Sequence, residues 1–336
     1  MMRIGWSIVV CLWATVPLLA QPLDIPVAGR SDNVDFTNPP AEPVRAMAEW
    51  EELQAVAVAW SSQWTDVSRF DLLAEIVQHC KQEVEVIIVC DLPSKVQAQL
   101  SERGVTDFSN ITFQGVGIYF DRIWIRDFGA HTLYANEVDS MLLVDWMYDA
   151  DYPVADTASP AAVARHYNLP LYSTTSNRYA FRLDGGNFLS DGLGTAFSSD
   201  RVLLENGQLS FVQSVAEDFM GIDNYVVLPR LPYDVVHHVD MHMKLLDEET
   251  LLVGQYPEGE GDYAQIEANI DYILENVETP FGKPYRIVRI PMPPDRYGGY
   301  PDDANLCSKR GMGCYRTYTN ALFVNKTVLV PTYETT

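Results

Sequence analysis

The sequence predicts an α/β fold assembled from a repeated strand, strand, helix, strand unit, and three observations predict it. Runs of β-branched residues with strand character alternate with amphipathic helical patterns over most of the chain. The helical patterns beginning at 159, 208 and 263 are separated by similar intervals with strand-rich stretches between them, as a structural repeat requires. At 47% hydrophobic and 21% charged over 336 residues, the chain has material for a sizeable core. No low-complexity insert or linker divides it, so a single folded unit is expected over 44–336.

In chain order, Arg3 precedes an apolar run from Ile4 to Leu19 ending near Ala20, the pattern of a secretory signal over 1–20. The run is short for a membrane span, and no later segment has that character. A secreted or periplasmic protein is expected, with no membrane contact after cleavage. Residues 21–43, with Pro22, Pro26, Pro39, Pro40 and Pro43, read as an extended lead-in. Strands are expected at 54–60, 84–90, 116–125, 141–145, 224–228, 250–253, 286–291 and 321–330. Helices are expected at 66–82, 93–103, 159–167, 208–221 and 263–277. In the last helix Tyr263, Ile266, Ile270 and Ile273 fall on one face.

An excess of 46 acidic over 23 basic residues, a formal charge of −23, argues against a nucleic-acid surface, which needs a basic footprint. It suits a cationic ligand or simple solubility. Cys11 falls in the signal, leaving an even four thiols, as befits an oxidising compartment. Cys307 and Cys314 flank a short polar loop and are candidates for a local disulfide. Cys80 and Cys90 end a helical pattern and an apolar strand and read as buried thiols. None of these lies in a zinc-type spacing.

Three clusters can carry chemistry. In Asp121-Arg-Ile-Trp-Ile-Arg-Asp-Phe-Gly129, strand parity sets Trp124 and Arg126 on one face and Asp127 on the other, so the strand must end or bend there for Trp124 and Asp127 to face one site, a bend that Gly129 permits. A carboxylate beside an indole is a receptor for a guanidinium. The alternative is an Arg126–Asp127 ion pair with Trp124 in the core. The second cluster, Arg182-Leu-Asp-Gly-Gly-Asn187, sets Asp184 before two glycines that permit close backbone approach, or only a bulge. It places Asp184 at the mouth of a site. Asp191-Gly192 beyond it signals a hairpin turn. The third, His237-His-Val-Asp-Met-His-Met-Lys244, read as a strand, places His238 and Asp240 on one face with His242 further along. That pairs a proton-transfer imidazole with a carboxylate. Three such residues along one strand spread too far to converge on a metal ion, so neither a metal nor another cofactor is expected.

Taken in order, Trp124-Ile-Arg-Asp-Phe-Gly129, Asp184-Gly-Gly-Asn187, His238-Val-Asp240 and Tyr318-Thr-Asn320 with Val330-Pro331 resemble the Porphyromonas-type peptidylarginine deiminase and agmatine deiminase family. Met47-Ala-Glu-Trp-Glu51 also looks like that family's opening segment. The resemblance runs from about Val44 onward. It implies the pentein fold, a five-bladed α/β propeller of ββαβ modules with its last module incomplete here, and hydrolysis of a guanidinium to a ureido group with loss of ammonia. It implies catalytic roles for Asp127, His238 and Asp240: the two carboxylates grip the guanidinium, and the imidazole acts as general acid and base. Trp124, Asp184 and Asn320 are implied on the substrate-binding side. The partner is then a cationic guanidino compound, agmatine or a peptidyl arginine.

The family's nucleophile is a cysteine that directly follows a histidine well beyond the Tyr-Thr-Asn segment, and the sequence reaches only Thr336. A chain without that thiol and without turnover of its own is therefore expected. Asp149 and Asp151 stand where enzymes acting on C-terminal arginine place basic residues, which favours an amine-bearing substrate over a carboxylate. Two rival classes stay open: a non-catalytic protein holding a cationic ligand on the same fold, and a metal-dependent secreted hydrolase built on the histidine segment.

Overall fold

The computed structural model describes residues 35–117, 119–120, 122–136, 138–148, 156–302 and 315–333. The signal, the first part of the lead-in, Asp149, Asp151, and the Cys307/Cys314 pair lie outside the described residues. In order the chain forms β1 (Asp35–Phe36), β2 (Val44–Ala46), β3 (Ala55–Trp60), α1 (Val67–Cys80), β4 (Glu85–Cys90), α2 (Pro93–Ser101) and β5 (Ile111–Gly115). There follow α3 (Ile125–Phe128), β6 (His131–Ala135), β7 (Ser140–Asp145), α4 (Ser159–Tyr167) and β8 (Leu171–Ser173). Next come β9 (Leu189–Ser190), β10 (Thr195–Ser199), α5 (Arg201–Asn206), α6 (Leu209–Met220) and β11 (Asn224–Leu228). The last are β12 (Met243–Asp247), β13 (Thr250–Gln255), α7 (Tyr263–Asn276), β14 (Arg286–Pro291), β15 (Leu322–Val324) and β16 (Thr327–Leu329).

The repeat legible in the helix spacing is a ββαβ module, and it occurs three times in succession. In each, an antiparallel strand pair (β6 with β7, β9 with β10, β12 with β13) is followed by a helix (α4, α6, α7). A third strand (β8, β11, β14) then returns parallel to the second. These make up most of three of the five sheets among the described residues. β3, β4 and β5 form a parallel sheet, and β15 and β16 a hairpin. The parallel returns need a crossover, and the helices supply it.

Local chemistry sets the helices. Asp66 caps α1 by accepting the Ser68 N–H, and Phe70, Leu73, Ala74, Val77 and Cys80 form its buried stripe. α6 buries Val212, Val215, Ala216, Phe219 and Met220 and stops at Gly221, whose φ of 64° is left-handed. A Cβ on Gly221 would also sit 1.8 Å from the Val44 carbonyl, so glycine is required there twice over. α7 buries Ile266, Ile270 and Ile273 into the core beneath β12–β14, as its periodicity predicts.

Among the described residues the expected strand at 116–125 is not formed. β5 ends at Gly115, Gly117 adopts a φ of 68°, and Ile125–Phe128 make one helical turn instead. The expected strand at 321–330 is a hairpin that reverses at Asn325, whose φ is 51°. Cys80 and Cys90 are free, buried thiols within the core between α1 and β4. Burial pushes both up to about 12, which keeps them protonated and unreactive.

Candidate active site

Four segments converge on one polar centre. The first is the α3 turn. Trp124 is half exposed where α3 begins, and the amide of Gly129 closes the turn on the Ile125 carbonyl at 2.7 Å. The chain bends here, as Gly129 suggested, and the turn aims Asp127 inward. The Arg126–Asp127 ion pair is not made, because Arg126 pairs with Glu49, Nη2 to Oε1 3.0 Å.

The second segment is the tight 3-10 turn Gly185–Asn187. The Gly186 amide donates to Asp127 Oδ1 at 3.0 Å. A Cβ on Gly186 would meet His238 Nδ1 at 2.6 Å, Asp127 Oδ1 at 2.9 Å and Asp240 Oδ2 at 2.9 Å, so this glycine forms the wall against which all three groups lie. On Gly185 a Cβ would stand 1.9 Å from the Arg126 carbonyl oxygen, so here backbone packs on backbone. The close approach expected of the two glycines is therefore made by both.

The third segment carries His238 and Asp240 on another 3-10 turn, Val239–Met241, and not on an extended strand. His237 takes a φ of 58°. Asp234 gathers the Val236 and His238 amides on its carboxylate at 3.0 and 3.1 Å, and Asn187 Oδ1 accepts from Val239 at 3.2 Å. These side-chain acceptors satisfy amides that a ladder would otherwise pair, so the chain turns. His242 does not join the centre. Its ring is buried with neither nitrogen hydrogen-bonded among the described residues, and burial lowers it to about 4.

The fourth segment precedes β15. Asn320 Nδ2 donates to Asp240 Oδ2 at 3.1 Å, and the Thr319 hydroxyl donates to the Asp240 carbonyl at 3.1 Å. Asp240 Oδ1 is buried with no partner among the described residues. Asp184 does not lie at the mouth. It is buried behind the imidazole, 3.1 Å from His238 Nε2, with Arg201 Nη2 2.8 Å from the same oxygen.

The electrostatics follow from three carboxylates crowded around one imidazole. Burial disfavours the charged His238 ring, but the Asp184 hydrogen bond and the charges of Asp127, Asp240 and Asp184 outweigh it and raise the group to about 9. Burial raises Asp240 to about 7 despite the attraction of His238, and burial likewise raises Asp127. The imidazolium and the Arg201 guanidinium on Asp184 are the positive charges in contact with these carboxylates.

Beside it lies a cleft of about 960 Å³, walled on this side by Trp124, Arg126, Gly185 and Asn320. Glu51, Glu52, Glu83 and Glu85 also line it, Glu51 paired with Arg45 at 2.7 Å and Glu85 with His166 at 3.1 Å. Sequence reasoning assigned no role to Glu49, Lys244 or Arg201. The pairing of an acid near 49 with two bases from distant segments has no local signature.

Buried acids around a histidine, set on ββαβ modules, form a polar centre whose charge is complementary to a small cation. Residues 45–336 match the family described as Porphyromonas-type peptidyl-arginine deiminase, and the chain belongs to that family. It is 27% identical to an agmatine deiminase of Pseudomonas putida, over 65% of this chain and 64% of the relative. The chain thus spans a little under two thirds of the length of the curated relatives it matches. Among solved structures, agmatine deiminase of Enterococcus faecalis superimposes with a TM-score of 0.71 at 17% identity, covering 90% of this chain and 87% of that one. The C. jejuni agmatine deiminase gives 0.67 at 19%, covering 87% and 83%. These likenesses give the fold, the pentein fold anticipated from the sequence.

Proposed function

We propose that the chain binds a cationic guanidino compound and serves its hydrolysis to a ureido product with release of ammonia. The observation that carries this is the convergence of Asp127, Asp240 and His238 on the bare face of Gly186. A guanidinium is planar, permanently charged and a poor electrophile. Two carboxylates on different segments fix its plane and spread its charge, and the unpartnered Asp240 Oδ1 is an acceptor ready for one of its N–H groups. Attack on the central carbon calls for a thiolate, a group the described residues do not bring to the site. After attack, His238 gives a proton to the leaving nitrogen, so that ammonia departs. It then takes a proton from the water that displaces sulfur and leaves the ureido oxygen. Asp184 holds the ring for both transfers. Trp124 offers an indole face to the aliphatic part of the substrate, and Glu52 and Glu83 of the cleft favour a second positive group, as in agmatine. Export of the chain by residues 1–20 belongs to the same proposal.

Calorimetric titration with agmatine and with a peptide ending in arginine tests the reading. Saturable binding that is lost in Asp127→Ala and in Asp240→Ala is the expected result, and wild-type affinity in either variant overturns it. Binding that survives chelation separates the site from a metal centre. Ureido product in the same mixtures separates a hydrolase from a protein that only holds the cation.

A further inference from the structure

The two gripping carboxylates share their surroundings with a guanidinium that belongs to the protein. Arg126 immediately precedes Asp127, and its side chain is about half exposed, reaching the cleft wall. Its charge acts on both Asp127 and Asp240, and the second of these has a buried oxygen without a partner among the described residues. Yet Arg126 is turned away from them onto Glu49. The same Glu49 oxygen takes the ammonium of Lys244 at 2.6 Å, from a side chain only 4% exposed on β12. Lys244 in turn lies over the ring of Phe323, 4.6 Å from its centre, on the strand that follows Asn320. Glu49, Arg126, Asp240, Lys244 and Asn320 surround a gap of about 10 Å³. A gap that size is at the lower limit for one water, so little solvent screens these charges. Burial works against the Glu49 carboxylate, but its two cations outweigh that and hold it at about 2.

We propose that Glu49 is a positioning residue that sequesters Arg126 and so keeps the protein's own guanidinium out of the site meant for the substrate's. Glu49 sits on the loop after β2, bridging the α3 turn that carries Asp127 to the strand that follows Asp240. Without its charge, the nearest carboxylates open to Arg126 are Asp127 and Asp240. A cation that loses its partner is drawn to the carboxylates remaining within reach, and the charges of Asp127 and Asp240 already act on Arg126. The internal guanidinium then competes with the ligand for the same oxygens. The proposal rests on the guanidinium-binding reading above.

The test is calorimetric titration of agmatine into wild type, Glu49→Gln and the double variant Glu49→Gln/Arg126→Gln, at pH 8, where Asp240 is ionised. Glu49→Gln is expected to weaken agmatine by at least about tenfold, as loss of one partner from a buried charge pair does. Removing Arg126 as well is expected to recover most of that loss, a rescue that a purely structural role for Glu49 does not give. Should Glu49→Gln fail to fold, Glu49→Asp serves. Its shortened carboxylate keeps a charge in the gap but draws the shared oxygen back from both cations, and its weakened binding is again rescued by Arg126→Gln. Wild-type affinity in the Glu49 variants, or no rescue by Arg126→Gln, overturns the proposal while leaving the guanidinium site standing. Absence of agmatine binding by the wild type overturns both.

Discussion

Gly186→Ala should abolish ligand binding in a protein that still folds. The added methyl carbon would lie 2.6 Å from His238 Nδ1 and 2.9 Å from one oxygen each of Asp127 and Asp240. Ordinary non-bonded contact lies at about 3.5 Å, so the imidazole must retreat by about 0.9 Å and each carboxylate by about 0.6 Å. All three are the far ends of side chains, and the Gly186 φ is not left-handed, so the backbone can stay in place. The stability cost should remain within the ~1–3 kcal/mol typical of overpacking. The functional cost is larger, because displacement of reacting groups by about 1 Å reduces their effectiveness about 100-fold. Gly185→Ala is the control. Its methyl meets the Arg126 carbonyl at 1.9 Å, backbone against backbone, so it should lower the thermal midpoint sharply. Thermal melts with agmatine titrations of both variants make the comparison. A Gly186→Ala protein that binds agmatine within threefold of wild type would refute the placement of the three groups around this wall.

Three further predictions rest on the charges. Agmatine binding should release protons between pH 7 and 9, because an arriving cation lowers both Asp240, now near 7, and His238, now near 9. Binding enthalpies in buffers of different ionisation heat measure this, and proton uptake would contradict it. The raised His238 contributes stability that is complete below its ordinary 6.5 and is lost as pH rises through 9, and the raised Asp240 acts in the same direction from about 4 through 7. The thermal midpoint should therefore fall from pH 6 to pH 9.5, and His238→Gln should flatten that slope. An unchanged slope in the variant would show that His238 is not the group responsible. Cys80 and Cys90 should resist iodoacetamide in the native protein and react on unfolding. Mass spectrometry showing native labelling at either would contradict their burial.

What the sequence could show depended on the length of the pattern. α1, α6 and α7 were legible because each has a buried stripe several turns long, as Phe70, Leu73, Val77 and Ile266, Ile270, Ile273 illustrate. The spacing of α4, α6 and α7 exposed the ββαβ repeat. Two- and three-residue strands such as β2, β8 and β9 carry no period of their own and exist because a neighbour supplies the ladder. At the site, residue types pointed to Asp127, His238 and Asp240, but the backbone that unites them did not show. The bend that Gly129 permits after Trp124 is a single helical turn, and the strand parity assigned to His238–Asp240 gave way to another. Those turns depend on Gly129 closing onto Ile125, on His237 at positive φ, and on Asp234 and Asn187 collecting amides from a distance. Asp184 was recognised as polar and glycine-flanked, yet its place behind His238 is set by Arg201 on α5, a helix that periodicity did not reveal. Pairings such as Glu49 with Lys244 join residues far apart in sequence and leave no periodic trace.

A crystal structure of the protein soaked with agmatine tests the central claim most directly. The account predicts the guanidinium lying against Gly186 with its nitrogens in hydrogen-bond contact with Asp127 and Asp240, its chain beside Trp124, and Arg126 still held by Glu49. Agmatine bound elsewhere, or bound with neither carboxylate in contact, would contradict it.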